Sequence, residues 1–193
     1  MAGTLLYAKD GSALVKQAGS AFEEAVNRGN VYGGANQTGV TSQAGLSATT
    51  PVLTLYNPAG SGKKGVLWFA GTAFTVAFAT AGAVWLAQGG SLEAAAVTGT
   101  LSTAHRNLLT GRADGNKIRL LTVATLPAAP VGIALLGAGL TGAITTLPYA
   151  VALERWFNGA YVLKPGYNFT IQTGVASGAS GMFCEFIWEE IDE

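Results

Sequence analysis

The chain has 193 residues, enough for one domain with a hydrophobic core, and carries 11 basic and 11 acidic residues. A net charge of zero argues against nucleic acid or an acidic surface as its main partner. Charged residues make up 11% of the chain, less than half of the roughly 25% found in typical soluble domains. This shortage predicts that a membrane, identical subunits or a larger assembly covers apolar surface.

The first 50 residues predict a short helix followed by an extended arm. Between residues 12 and 28, apolar side chains recur at helical spacing, as one helix or as two. Ser20 and Glu23 form a capping box near the middle of this segment. Residues 29–50 are polar and glycine-rich without a period, which predicts an arm that is ordered only on a partner. The start of the chain lacks the features of a signal peptide, so export by that route is not expected.

Residues 51–193 predict one all-β domain. Short β-prone runs are separated by turns, and several runs place apolar side chains at every second position, as half-buried strands do. The predicted strands cover 52–56, 66–78, 83–88, 97–103, 117–125, 131–137, 160–166, 167–173 and 182–189. Asp114-Gly115 is typical of a hairpin turn, and Pro165-Gly166 is typical of a turn between two strands. The number and spacing of these runs predict an antiparallel β-sandwich or jelly roll.

Two glycine-rich stretches resemble phosphate-binding loops, yet both predict structural roles. The stretch "NPAGSGKKG" lacks the first glycine of a Walker A loop and has Lys64 in place of the magnesium-binding hydroxyl, so it predicts a hairpin loop. Gly137, Gly139 and Gly142 complete a G-x-G-x-x-G motif, but Pro148 interrupts the helix that should follow. The acidic residue expected about 20 positions on is missing. These glycines predict strand bends or close chain approaches, with a dinucleotide enzyme as the alternative.

Two uncharged stretches, residues 66–87 and 120–153, are long enough to span a bilayer. Both are rich in glycine, alanine and threonine, and three prolines interrupt the second stretch, so insertion would be marginal. Strands of a sandwich that are covered on both faces explain the same lack of charge. We therefore expect no membrane partner, and a small holin-like membrane protein stays as an alternative.

The sequence predicts no enzyme. Cys184 stands alone, which excludes an intrachain disulfide and predicts a small buried residue. His105 also stands alone, which argues against a histidine-rich metal site. Glu189 and Glu190 are adjacent and would point to opposite faces of a strand, an arrangement unsuited to paired acid catalysis. We expect no catalytic residue, no metal ligand and no cofactor.

The segments "YNPAGSGK", "VLKPGYNFTIQT" and "FIWEE" resemble parts of small virion proteins of tailed bacteriophages, and the similarity covers about residues 50–190. The resemblance implies a jelly-roll module of the capsid cement or decoration type. It further implies a homotrimer that bridges subunits of the major capsid protein on the virion surface after synthesis in the host cytoplasm. No nucleic acid is implied as a partner. A tail or receptor-binding tip module is the alternative in the same setting.

Aromatic and arginine side chains are the expected contact residues of such a protein, because interfaces are enriched in both. Four basic residues also gather around the predicted hairpin tip at residues 105–119, where they could dock on an acidic neighbour or remain solvated. The candidate residues of a subunit or capsid interface are Phe22, Tyr32, Trp68, Trp85, Arg106, Arg112, Trp156 and Trp188.

Overall fold

The computed structural model describes residues 20–43, 45–76, 78, 82–90, 97–139, 151–176 and 179–193, together with the backbone of two short strands near the start of the chain. The short strands β1 (Leu6–Tyr7) and β2 (Ala13–Leu14) pair with each other. The other elements are α1 (Ala21–Asn27), β3 (Val31–Ala35), β4 (Leu53–Tyr56), β5 (Lys63–Phe74), β6 (Gly82–Gly90), β7 (Thr98–Leu101), β8 (His105–Asn107), β9 (Arg119–Thr125), β10 (Val131–Gly139), β11 (Val151–Leu163), β12 (Tyr167–Thr173) and β13 (Met182–Asp192).

Strands β3 to β13 form two antiparallel sheets that pack face to face. One sheet has six strands in the order β10-β6-β12-β4-β9-β7, and the other has five in the order β11-β5-β13-β3-β8. The side chains that point inward from the two sheets form one continuous hydrophobic core. The all-β sandwich predicted from the alternating pattern is therefore confirmed.

Strands that follow one another in the chain do not pair within the described sandwich. The loop at residues 57–62 joins β4 to β5, and the loop that contains Asp114 joins β8 to β9; each loop passes from one sheet to the other. The two hairpins predicted at these places are therefore wrong. The turn at Pro165-Gly166 is present, since the Tyr167 backbone N–H donates to the Lys164 carbonyl, but it too joins different sheets.

The core follows the period of two that the sequence shows. Phe169 and Ile171 of β12 point inward from the six-stranded sheet, while Phe186 and Trp188 of β13 point inward from the five-stranded sheet. The same alternation buries Cys184, as predicted. Because successive residues of a strand face opposite sides, Glu185 and Ile187 lie on the outer face.

The prediction of an arm across residues 29–50 is wrong for part of that segment. Residues 31–35 form β3, which lies between β13 and β8 inside the five-stranded sheet. Further along, Val40 forms a bridge to Met182, and Thr49 forms a bridge to Thr125. The glycines that suggested a loop allow close packing between the two sheets. A Cβ on Gly34 would lie 2.7 Å from the Leu120 side chain of β9.

The predicted helix is present but shorter than expected. Helix α1 covers seven residues, and the Ser20 hydroxyl accepts the Glu23 backbone N–H at 3.1 Å, which confirms the capping interaction. Gly29, at φ 73°, follows the end of the helix. The helix predicted from residue 12 is wrong at Ala13–Leu14, which form β2, and residues 15–19 lie outside the described part of the chain.

Where they are described, the uncharged stretches considered as membrane spans consist mainly of strands, namely β5, β6, β9, β10 and β11. Among the described residues, no helix has the length and apolar character needed to cross a membrane. Gly137 and Gly139 of the G-x-G-x-x-G motif lie in β10, and Gly142 lies outside the described residues. A Cβ on Gly137 would lie 2.8 Å from the Leu153 side chain, so this glycine serves a close approach of two strands.

Candidate interaction surface

Three of the predicted interface residues meet in one cluster on the outer face of the five-stranded sheet. The Phe22 ring lies 5.2 Å from Trp68 and 5.5 Å from Trp156, in edge-to-face arrangements. Phe69 joins them at 5.0 Å from Trp156. We call Phe22, Trp68, Phe69 and Trp156 the aromatic patch. Trp68 is 8% exposed and forms the buried base of the patch, whereas Trp156 is 51% exposed and presents its ring to solvent.

A buried carboxylate fixes helix α1 against this patch. Glu189 points outward from β13 and is 4% exposed. It accepts a hydrogen bond from the Arg28 guanidinium at 2.8 Å and another from the Trp68 indole at 3.3 Å. Glu189 therefore joins the end of α1 to the base of the patch. The carboxylate is thus both buried and paired with Arg28.

A wide bulge in β11 shapes the open side of the patch. Trp156 pairs with Phe69 and Tyr161 pairs with Leu67, so the residues 157–160 stand opposite the single residue Trp68. Asn158 and Gly159 have positive φ angles of 50° and 80°, which let the strand turn out and return. The bulge leaves Trp156 exposed at its beginning.

Large apolar side chains are exposed on both edge strands at this side of the sandwich. They are Val131 and Leu135 on β10, and Trp156 and Val162 on β11. The two strands are held together across the sheets, because the Arg155 guanidinium donates to the Leu135 carbonyl at 3.1 Å. Trp156 and Val162 both point outward from β11, so together with the aromatic patch they form a candidate contact surface.

The edges of both sheets disfavour strand addition. Strands β7 and β8 have four and three residues, β10 has two register irregularities, and β11 contains the wide bulge. Short and bulged edges are the devices that natural sheets use against edge-to-edge pairing. Partners of the described sandwich are therefore expected to bind through side chains.

Two of the predicted interface residues are parts of the core. Trp188 is fully buried, and Tyr32 stacks on it with ring centroids 5.8 Å apart. Their position follows from the register, which sets both side chains on the inner face of the five-stranded sheet. Trp85 is half-buried on the outer face of the six-stranded sheet, where its ring covers Gly132.

The two predicted arginines lie near the loop between β8 and β9. Arg106 is exposed and lies 3.6 Å from the Asp114 carboxylate. Arg112 is also exposed, and its side chain crosses Gly29, where a Cβ would come within 2.4 Å of it. Arg106 lies beside Asp114 and Arg112 beside Gly29, while Tyr32 and Trp188 lie in the core, so the eight predicted residues do not form one site.

The described residues offer little reactive chemistry. They contain no group of three or more histidine, cysteine, aspartate and glutamate side chains that could hold a metal ion. The Nδ1 atom of His105 lies 3.0 Å from the Ser102 carbonyl oxygen, at the edge of the sheet. Burial raises the pKa of the Cys184 thiol to about 12, and the Thr72 hydroxyl lies 3.6 Å from its sulfur.

Cys184 is therefore expected to resist thiol reagents in the folded protein. The thiolate is the reactive form, and a pKa of about 12 leaves almost none of it at pH 8. Labelling with a chromogenic disulfide reagent should reach less than one tenth of the chains within an hour in buffer, and all of them in denaturant. Rapid labelling of the native protein would contradict the burial of this thiol.

Sequence reasoning missed Phe69, Val162, Glu185 and the fixed position of Glu189. A period of two assigns alternate residues to opposite faces, but Trp68 and Phe69 both reach the outer patch because the register shifts beside Trp68. A comparison of the chain with protein-family models, with curated proteins and with solved structures finds no match.

Proposed function

We propose that the chain is a non-enzymatic structural protein of a bacteriophage virion. In this proposal it is a capsid cement or decoration protein, which sits on the capsid surface as a homotrimer and bridges subunits of the major capsid protein. The exposed ring of Trp156 in an otherwise rigid patch is the observation that carries the proposal. The low charge and the resemblance of three segments to phage virion proteins support the setting.

The mechanism is burial of apolar surface. An aromatic side chain covers roughly 150–250 Å² when buried, and each Å² of apolar surface contributes about 25 cal/mol. Trp156 and Val162, which both point outward from β11, present such a surface. Each contact is modest, but a capsid carries many copies, so the contacts add up over the shell. Stabilisation of this kind requires no reactive residue.

The patch has the properties of an interface anchor. Tryptophan is enriched among residues that dominate binding energy, and such residues act from rigid surroundings. Phe22 and Phe69 support the Trp156 ring from two sides, at 5.5 and 5.0 Å. Little side-chain entropy is therefore lost when a partner covers Trp156.

Replacement of Trp156 by alanine is expected to weaken binding to capsids about 30-fold, which corresponds to about 2 kcal/mol. Binding is measured by co-sedimentation of the purified protein with capsids of its own phage that lack it. The matched control is Leu101→Ala, because Leu101 is 55% exposed at the opposite side of the sandwich. The control is expected to bind like the wild type.

Electron microscopy of the particle tests the setting itself. Density for many copies of the protein over the head supports a cement role. Density for a few copies at the tail tip would instead support the alternative role as a tail or receptor-binding tip module. If the Trp156→Ala variant binds capsids as well as the wild type does, the aromatic patch does not contribute to capsid binding. Absence of the protein from the purified particle would overturn the proposal.

A further inference from the structure

Part of the outer face of the five-stranded sheet has no covering element among the described residues. Helix α1 covers the end near Val31 and Trp68. Beyond the aromatic patch, the next positions along the strands carry small side chains, and a cavity opens there. The floor of this cavity includes Ala35, Gly71, Ala73 and Ala152.

Two carboxylates stand on either side of this floor. Glu154 of β11 and Glu185 of β13 both lie directly opposite Gly71 of β5, so all three residues share the outer face. Neighbouring strands are about 4.8 Å apart, which sets the two glutamate backbones roughly 10 Å from each other. Glu185 leans over the glycine, since a Cβ on Gly71 would lie 2.8 Å from its Oε1 atom. We call Gly71, Glu154 and Glu185 the acidic trough.

The described residues supply no counter-ion to the acidic trough. Among the described residues, no ion pair involves Glu154 or Glu185. Burial raises the pKa of Glu185, and the charge of Glu154 raises it further. A cation supplied from outside would relieve this repulsion, and the cavity that Glu154, Gly71 and Glu185 line gives it a place to bind.

The opposite end of the same sheet carries the complementary charge. Residues 108–118 connect β8 to β9 and bear Arg112 and Lys117, with Arg106 and Arg119 at their flanks. All four cations are exposed, and only Arg106 has an ion-pair partner among the described residues, Asp114. We call residues 108–118 the basic loop.

The basic loop is held firmly rather than left loose. The Glu190 carboxylate accepts the backbone N–H groups of Lys117 and Ile118 at 2.9 Å, and Asp114 accepts that of Asn107 at 2.6 Å. These bonds use backbone groups of the loop, and the Arg112 and Lys117 side chains remain exposed. A loop fixed in this way loses little entropy on binding.

The register places the trough and the loop at opposite ends of one sheet. Ala35 pairs with Glu185 at the trough, whereas Tyr32 pairs with Asn107, where the chain leaves the sheet to enter the basic loop. The loop of one chain is thus directed away from its own trough. Two copies arranged head to tail can join them.

We propose that the basic loop of one copy docks in the acidic trough of the next copy, with Arg112 or Lys117 between Glu154 and Glu185. The contact is heterologous, because two different surfaces of the chain meet. A heterologous contact that closes on itself forms a ring, so this inference rests on the proposed homotrimer and assigns its interface. The trough adjoins the aromatic patch, since the Phe69 ring lies over Gly71.

Charge reversal on each side, separately and together, tests the contact. The trough variant is Glu154→Lys with Glu185→Lys, and the loop variant is Arg112→Glu with Lys117→Glu. Light scattering coupled to size exclusion should show a trimer for the wild type and monomers for each variant, with a dissociation constant at least tenfold higher. The chain that carries all four changes should form trimers again, because the reversed charges attract.

The controls reverse single exposed charges elsewhere, with Glu23→Lys on α1 and Lys164→Glu after β11, and they should remain trimeric. Circular dichroism verifies that each variant folds. A wild-type trimer that survives both reversals, or a fourfold variant that stays monomeric, would overturn the docking and leave the homotrimer standing. A monomeric wild type would overturn the homotrimer and the docking together.

Discussion

Replacement of Trp188 by alanine should lower the free energy of unfolding by about 3–5 kcal/mol, which is typical of a buried aromatic residue. Trp188 is fully buried, stacks on Tyr32, and donates its indole N–H to Glu190 at 3.4 Å. The variant leaves a cavity between the sheets and removes a donor from a buried carboxylate. Urea unfolding followed by circular dichroism gives the free energy.

Trp156→Ala is the matched control for this prediction. Both residues are tryptophans of the five-stranded sheet, but Trp156 is 51% exposed and faces outward. Its replacement should cost about 1 kcal/mol or less, since it loses ring contacts without opening a core cavity. Equal losses for the two variants would contradict the assignment of Trp188 to the core and of Trp156 to the surface.

The contrast between these tryptophans shows where sequence reasoning ends. Alternation predicts which residues share a face, and it correctly placed Cys184 and Trp188 on one side of β13. It does not tell which face meets the other sheet when both faces carry large apolar residues. The shift of register beside Trp68 breaks the period, so the patch has no simple signature.

Turns illustrate a second limit. The signal at Pro165-Gly166 marks a real turn, whereas Asp114-Gly115 lies in the loop between β8 and β9 without forming one. Turn chemistry is local and does not reveal which sheet the next strand joins. In this fold, strand partners are distant in sequence: β3 pairs with β13, and β6 pairs with β12. The arm prediction failed at residues 31–35 for the same reason, because pairing with the distant strands β13 and β8 makes this glycine-rich segment a strand.

The acidic trough could not be found from sequence for a related reason. Glu154 and Glu185 lie 31 positions apart in the chain and meet only because both pair opposite Gly71. The basic loop, by contrast, is one continuous segment and was visible as a cluster of cations. A charge cluster within one segment is visible in the sequence. A cluster that forms only when distant strands pair can be found only once the strand register is known.

Replacement of Glu190 by alanine is expected to lower the free energy of unfolding by about 2–5 kcal/mol, because each orphaned buried donor costs roughly 1–3 kcal/mol. Glu190 is 4% exposed and accepts the backbone N–H groups of Lys117 and Ile118 and the indole N–H of Trp188. Glu190→Gln should lower the free energy of unfolding less than Glu190→Ala does, since the amide oxygen of glutamine still accepts a hydrogen bond. Some loss remains, because the NH₂ group of glutamine faces N–H donors. Thermal and urea unfolding measure the losses.

Hydrogen exchange adds a local measurement that a general loss of stability would not mimic. The amides of Lys117 and Ile118 should lose protection in Glu190→Ala more than the amides of β12 do, because the carboxylate holds only the end of the basic loop. Asp192→Ala is the control: its side chain is 88% exposed on the same strand and pairs with Lys63, so its loss should cost less than about 1 kcal/mol. Uniform loss of protection across both sheets would show that Glu190 stabilises the sandwich as a whole and does not specifically hold the loop.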